Sequence, residues 1–491
     1  MKMRNLFLII AILIFSNNAF AQTKPEQAQQ KLPDVKTLLL SYLENDSELK
    51  NLSLAAQKAE LSNKSVIIDN GFDITLSSGS ITIRVAEDGS TITAKPSIKA
   101  SLPSASNLSV TAQTNINSAN ADSIIKDTSI SVGVDIISSN AVMNKITLLK
   151  SKRSVLEAKR KLEKRAVTAE KEFYTSLKSI LSSINTIISK KETLYTDTLD
   201  FEAKKIQGYS KSSSTYRQAE LKVVSDEHDV ESAIHSFIYD CTVFYKKCGY
   251  DIQIDENAEL MIFVPSGIDE VEPKDVKKID KELYSEIESA GWTNTINSME
   301  RNAKKNYSLS ANAGYTFDNS STKSNSLDAG LSGTIGGVTL GAGMSIPAGN
   351  NNSQSAPSFT LSASVNPNAF RKNNITKQQN ELTEKQEILA IEAALSDYET
   401  KIVELEQKLK SLNWEKESIE KNITMYEDLE KDMSKLYKQG YVNKNDYNAA
   451  KNSLNSSIIK KIMNRIDFII YNDDVALNFV SEKFEVGNEK K

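Results

Sequence analysis

Asn366 to Gln439 carries the pattern that decides the fold: Ile388, Ile391, Leu395, Tyr398, Ile402, Leu405, Leu409, Leu412, Ile419, Ile423 and Tyr426 step by three and four residues. Steps averaging 3.5 make an apolar seam that a 3.6-residue helix keeps against a partner only by supercoiling. About seventy residues at ~1.5 Å each form a rod on the order of 100 Å. Such a rod needs neighbours along its length. A second one matches it: from Ala141 to about Gln207, Phe173, Leu177, Ile180, Ile184, Ile187, Leu194 and Phe201 keep the same spacing.

Ahead of each rod the apolar period changes to two. In the first case Ile74 and Leu76 alternate with polar residues, Ser77-Ser78-Gly79-Ser80 breaks the phase, and Ile81, Ile83 and Val85 resume on the other parity. Such a slip predicts a bulge or a turn. Further runs follow at Ile98–Leu102, Leu108–Ala112 and Ile130–Ile136. Ahead of the second rod, Tyr307, Leu309, Ala311, Ala313, Tyr315 and Phe317 alternate with Ser, Asn, Gly and Thr, as do Leu327–Ile335, Val338–Ile346 and Phe359–Val365. These spacings predict strands.

A helix from Pro33 to about Ile68, with a possible break at Asn45-Asp46, precedes the first strands, and one from Val276 to about Lys305 precedes the second. After each rod a glycine, Gly208 or Gly440, stops the helix, and a shorter helix follows. Gln207-Gly208-Tyr209 recurs as Gln439-Gly440-Tyr441, Tyr216 and Ala219 as Tyr447 and Ala450, Ile130–Asp135 as Leu361–Asn366, and Phe237 as Phe468. Four matches in one order make an internal repeat the better account. The expected organisation is a leader at 1–21, a first repeat at 22–250, an acidic linker at 251–275 with one small strand at Leu260–Val264, a second repeat at 276–480 and a polar tail at 481–491.

The leader has Lys2 and Arg4, an apolar core from Leu6 to Phe15 and Ala19-Phe20-Ala21, the arrangement of a secretory signal peptide cleaved before Gln22. No stretch is long enough to be a transmembrane helix. The net charge of −4 gives no reason to propose nucleic acid. Cys241 and Cys248, seven residues apart on one helix, lie too far apart for a disulfide. With His228 and His235 they fall near one stripe whose spacing is too wide for a single metal, and they read as packed or pore-lining side chains. There is no phosphate-binding Gly-Lys-Ser/Thr loop, HExxH pair or serine elbow, so the chain reads as no enzyme and as needing no cofactor.

Strands with one apolar face and one face of Ser, Thr, Asn and Gly fit a soluble sandwich or a lipid-facing barrel. Export, strands of about ten residues and Tyr307, Tyr315 and Phe317 near strand ends favour the barrel. One chain has too few strands for a wide barrel, so several copies would share it.

With these residues in view, the chain resembles the TolC family of outer-membrane efflux proteins. Asp34–Leu49 looks like that family's first helix. Gly440-Tyr441-Val442-Asn443-Lys444-Asn445-Asp446-Tyr447-Asn448-Ala449-Ala450, and more weakly Gly208 through Ala219, look like its loop signature. The resemblance implies a mainly α fold with β: a helical coiled-coil barrel continuous with a transmembrane β-barrel, formed by a homotrimer in the outer membrane with its helices in the periplasm. It implies an export duct of a tripartite efflux or type I secretion system, whose partners are a periplasmic membrane-fusion adaptor, an inner-membrane pump and outer-membrane lipid. By position, Gly208, Tyr209, Gly440, Tyr441 and Asn443 would form the periplasmic tip where the adaptor docks. Asp446 would line the entrance gate, three copies making an anionic ring. Ala449 replaces the second acid of that motif, and Ser214 and Thr215 stand where the first repeat would carry one. The family uses two strands per half, whereas this chain offers at least four runs. The rival readings are a secreted or surface coiled-coil structural or adhesion protein with β modules, and a periplasmic adaptor. Adaptors usually carry a single hairpin, not two in tandem.

Overall fold

The computed structural model describes residues 33–86, 89–104, 106–118, 125–137, 139–265, 267–304, 307–317, 325–348 and 356–484. The expected leader and residues 485–491 of the tail lie outside them. The chain is mainly α-helical with one antiparallel sheet. Its helices are α1 (Val35–Asn45), α2 (Ser47–Asp69), α3 (Asn140–Ile206), α4 (Ser214–Lys247), α5 (Ser285–Ala303), α6 (Pro367–Lys438) and α7 (Lys444–Asn478). The two rods are α3 and α6, within a residue of their expected ends. The strands are β1 (Asp73–Ser77), β2 (Thr82–Ala86), β3 (Gly89–Ala94), β4 (Ser97–Leu102), β5 (Leu108–Asn117), β6 (Ile125–Ile137), β7 (Tyr307–Phe317), β8 (Ser326–Ile335), β9 (Val338–Pro347) and β10 (Ser358–Val365).

Two compact units divide the chain. One, residues 1–54, 159–285 and 397–482, holds the larger core. There Phe173, Leu181, Ile184 and Ile187 of α3 are fully buried with Phe237 and Cys241 of α4 and Ile459 and Ile466 of α7. Phe173 meets Tyr42, Tyr174 and Phe244 at ring distances of 5.6, 5.2 and 5.2 Å. The α1–α2 break falls at Asp46, whose carboxylate accepts from the Leu49 N–H at 2.8 Å and pairs with Arg165. Burial would raise that carboxyl's pKa, but the Arg165 and backbone hydrogen bonds outweigh it and hold it below the usual range.

The acidic segment after α4 differs from expectation. Leu260–Phe263 is a 3-10 turn, not a strand, and Ile252, Phe263 and Ile268 are buried in the core. Among the described residues no strand offers it a ladder, whereas its apolar residues join the core with α4 and α7. The helix expected from Val276 begins at Ser285 instead. Two single 3-10 turns precede it because Asp275 and Asp280 cap them, accepting from the Lys277 and Glu282 N–H groups.

The second unit, residues 55–158, 286–396 and 483–491, contains the sheet and a smaller helical core of Ile146, Leu149, Ile296 and Ala303. Arg153 is buried here, forked onto Glu288 and lying 5.4 Å from the Trp292 ring centre. Arg301 makes a second two-pronged pair with Glu387, both bonds 2.8 Å. The sheet is a meander in order of sequence. β3 and β4 keep one register along β5, from Thr93↔Asn117 through Ser97↔Gln113 to Leu102↔Leu108, so they act as one strand. Opposite them, β1 and β2 are one strand with an extra residue: Ser77 faces Ser97, yet Thr93 faces Thr82 where an unbroken ladder would put Ile81. The slip read from Ser77–Ser80 is therefore a bulge. It needs Gly79, whose φ is +63° and where a Cβ would stand 2.2 Å from the Lys95 carbonyl oxygen. The bulge returns Ile81 and Ile83 to the face that Ile74 and Leu76 occupy.

Candidate functional site: a two-faced sheet and paired helix ends

Pairing carries single rows of side chains across the sheet. One row runs Ile74, Ala100, Val110, Val132, Ala313, Ala329, Met344, Phe359. The next runs Leu76, Ile98, Ala112, Ile130, Tyr315, Leu327, Ile346. The rows between belong to the opposite face: Thr75, Lys99, Thr111, Ser131, Gly314, Asp328, Ser345, Ser358. One face is thus apolar across eight strands and the other polar. The apolar face is uncovered: Leu76 is 73% exposed, Phe359 74% and Leu361 86%. Continuous exposed apolar area on this scale marks a contact surface.

Along β7 the apolar residues Tyr307 to Phe317 span about 34 Å of strand, which at a tilt of ~45° gives a band about 25 Å tall. Exposed aromatic rings stand at both borders: Tyr315, Phe317 and Phe359 at one, Phe72, Tyr307 and Phe370 at the other. Phe72 and Phe370 escaped the sequence reading because they sit just outside the alternating runs, where no period reaches them.

The two rims of the sheet differ. Four strands lie between the end of α2 and the start of α3, and four between α5 and α6, so all four helices join the same rim. The connections on that rim are tight. Gly336-Gly337 closes β8 onto β9, with the Asn366 N–H donating to the Gly337 carbonyl at 2.7 Å. Residues 103–107 close β4 onto β5, where the Asn107 amide donates to Asp135 at 2.8 Å and the Asn144 amide to the Pro103 carbonyl at 3.1 Å. On the opposite rim the strand ends are separated in sequence by the two residues 87–88, and by the longer stretches 118–124, 318–325 and 348–357.

The rod ends of the other unit form two matched corners. Gly208 has φ +77° and Gly440 +80°. At the first, Gly208 N–H donates to Lys205 and Tyr209 N–H to Lys204; at the second, Gly440 N–H donates to Tyr437 and Tyr441 N–H to Leu436. Both are Schellman closures, which only a left-handed residue completes. Ser213 then caps α4, accepting from Tyr216 N–H at 3.3 Å, and Asn443 caps α7, accepting from Asn445 and Asp446 N–H at 2.9 and 3.0 Å. Phe201 lies edge-on to Tyr216, while Tyr437 stacks flat on Tyr447, with planes 6° apart. Tyr209, Tyr441 and Asp446 are exposed. Asp446, in the first turn of α7, receives the favourable end of the helix dipole.

Cys241 and Cys248 are free and buried, and burial pushes each thiol up to about 12. They are packing residues, while His228 and His235 face solvent on the same helix. No cluster of metal-ligand type occurs among the described residues. None of the described helices is long and apolar enough to cross a membrane.

A mainly helical chain with one uncovered, two-faced antiparallel sheet is the class that these observations define. Two family models match it in sequence order, the TP096X N-terminal domain over residues 38–268 and the TP096X C-terminal domain over 269–482. The chain belongs to the TP096X family. No curated protein matches it. Among solved structures it is similar to CusC, studied for folding and transmembrane channel formation, at 12% identity and TM-score 0.43, covering 93% of this chain and 97% of that one. The Campylobacter jejuni CmeC outer membrane channel gives 12% and 0.43, covering 94% and 92%. The outer membrane protein VceC of Vibrio cholerae gives 11% and 0.39, covering 90% and 94%. Likeness this remote decides nothing about the chain's role, which its own residues must carry.

Proposed function

We propose that the chain is an outer-membrane export duct of the TolC kind, working as a homotrimer. The observation that carries this reading is the apolar face running unbroken across eight strands, with a polar face behind it. Lipid is the cover that suits such a face, and water in a lumen suits the other. The rim asymmetry supports this in part: outer-membrane barrels keep tight turns on the periplasmic side, and here the rim where all the helices leave has only short connections, while three of the four at the other rim are long. The helices then belong to the periplasm. Gly208, Tyr209, Gly440, Tyr441 and Asn443 form the tip that meets an adaptor bridging to an inner-membrane pump. Asp446 supplies the acid ring of the entrance. Energy comes from those partners, since the chain carries no nucleotide-binding loop and reads as no enzyme. The cargo is a small molecule or a protein passed outward.

Planar-bilayer recording on the detergent-purified chain tests this. Discrete conductance is expected, blocked by a trivalent cation in wild type and less so in Asp446→Ala. A soluble, monodisperse monomer that needs no detergent and conducts nothing would end the proposal. Equal block in both proteins would remove Asp446 from the gate while leaving the duct.

A further inference from the structure

The apolar core on α3 ends at Ile187. Beyond it, over residues 188–206, Asp197 alone is buried, at 8% exposure. The matching stretch of α4, between Ala219 and Val230, has no buried residue. Nearer the first corner the two helices meet again through the rings of Phe201 and Tyr216, 5.1 Å apart. Between core and corner a carboxylate thus sits where packing would call for an apolar side chain. Lys222 Nζ of α4 donates to its Oδ1 at 2.6 Å. The carboxyl of Asp226, one turn further along α4, lies within hydrogen-bonding reach of it. Asp197 Oδ2 and Asp226 Oδ2 are both buried, and among the described residues no protein donor meets either.

Two bare carboxylates do not settle against each other out of water, because like charge and lost hydration both oppose it. One proton between them supplies the missing donor and turns repulsion into a charge-assisted O–H···O bond. We infer that Asp197 and Asp226 share one proton as an acid-sensitive clasp between α3 and α4, holding the hairpin shut when protonated and letting it bow apart when bare. The surrounding charges put the proton on Asp226. Lys222 holds the Asp197 carboxyl below the usual range, whereas the bond to Asp197, then burial, push that of Asp226 up. Asp229 adds to that rise and Lys222 opposes it. Asp229 is itself paired with Lys190 at 2.9 Å, and Asp200, which faces Lys222, with Lys204 at 3.4 Å. A carboxyl raised in the folded state stabilises it fully below the ordinary value of about 4, and that contribution is lost as pH climbs through the raised one. The proton then passes to water and leaves two like charges with one lysine.

The second hairpin lacks the device. By the repeat that sets Gly208 on Gly440 and Tyr216 on Tyr447, Leu429 and Ser457 stand in place of Asp197 and Asp226. Resting on the duct reading above for its purpose, though not for its chemistry, the clasp tightens one of the two hairpins at the tip in acid.

The test is the distance between two nitroxide labels on the full detergent-purified chain, at Leu199→Cys and Ser225→Cys, both exposed positions near the pair. Cys241 and Cys248 are buried and serve as a silent background. Double electron–electron resonance reads the distance between about pH 4.5 and about pH 9. It is expected to lengthen as pH rises, in a one-proton transition above the usual carboxylate range. Asp226→Asn, whose amide donates at every pH, should keep the short distance throughout. Lys222→Met should shift the transition to higher pH, since no cation then offsets the charge left behind; an unmoved midpoint would overturn the proposal. So would a wild-type distance indifferent to pH, or a lengthening that survives in Asp226→Asn. Equal lengthening between Lys431→Cys and Ser456→Cys of the second hairpin would overturn it as well, by showing that the whole tip loosens. A distance that moves with pH in a chain that conducts nothing in planar bilayers would keep the clasp and end the duct. Conductance beside a fixed distance would end the clasp and leave the duct.

Discussion

The helical core around Phe173 and the sheet around Phe359 contain similar side chains put to opposite use. Phe173 is fully enclosed by Tyr42, Tyr174 and Phe244. Phe359 stands in a row equally apolar and has nothing over it. Within the core, burying the stripe is what holds the helices together. Across the sheet the stripe is left bare along every strand, so the ladder is held by backbone pairing and the face is kept for an outside partner. The contrast separates residues that build the fold from residues that place it.

Removing each ring gives the largest expected difference. Phe173→Ala should cost about 3–5 kcal/mol, the loss of a filled aromatic site. Phe359→Ala should change detergent-state stability by far less, as read by circular-dichroism denaturation. Comparable losses would mean that the sheet is covered after all. Charge sharpens the same comparison within the sheet. Val132→Lys, on the apolar face, should cost about 2–4 kcal/mol in lipid, whereas Ser131→Lys beside it should cost little. Folding yield into vesicles of defined lipid measures both.

A smaller effect lies in the core, at Asp473. Its carboxyl is buried, one oxygen lacks a partner, and Glu170 and Asp474 stand near it, offset in part by Lys274 and Lys171. Burial above all, then Glu170, pushes it up to about 8. The folded form therefore holds a proton that the unfolded chain has already lost. This group's contribution to stability falls as pH rises from about 4 to about 8 and is lowest above that. Asp473→Asn should stabilise by roughly 1–3 kcal/mol at pH 9 and by little at pH 4.5, as read in melts at the two pH values. Smallest are the corners. Gly208→Ala and Gly440→Ala each meet open space, so only the left-handed backbone resists, at about 1 kcal/mol apiece. Melting temperatures that drop further would reveal contacts at the corners beyond the backbone.

The rods, most of the strands, the phase slip at Ser77–Ser80 and the glycine stops were legible because each is written in local spacing; whether the slip was a bulge or a turn was decided only by the pairing of β1 and β2 with β4 and β3. Leu260–Phe263 was misread because a short apolar run has the same composition as a strand or as a turn packed on a core; neighbours distant in sequence decide. The forked pairs Arg153–Glu288 and Arg301–Glu387 left no trace in spacing, since long-range folding brings the partners together. The same holds for Asp473, which reads as one more acid on a polar helix. Of the candidate site, Gly208, Tyr209, Gly440, Tyr441 and Asn443 at the corners could be named in advance, whereas the capping roles of Ser213 and Asn443 and the Tyr437–Tyr447 stack could not. The two rims of the sheet could not, because that distinction comes from counting strands between helices, while β1, β2 and β4 read as separate runs and β3 (Gly89–Ala94) was not read at all.

The most direct test of what the bare face is for is fluorescence quenching of a probe attached at two adjacent positions of β7. A cysteine-linked probe at Ala313, on the apolar face, is expected to be quenched by brominated lipid and spared by aqueous iodide, and one at Asn312 to show the reverse. Equal access of iodide to both positions would contradict the account.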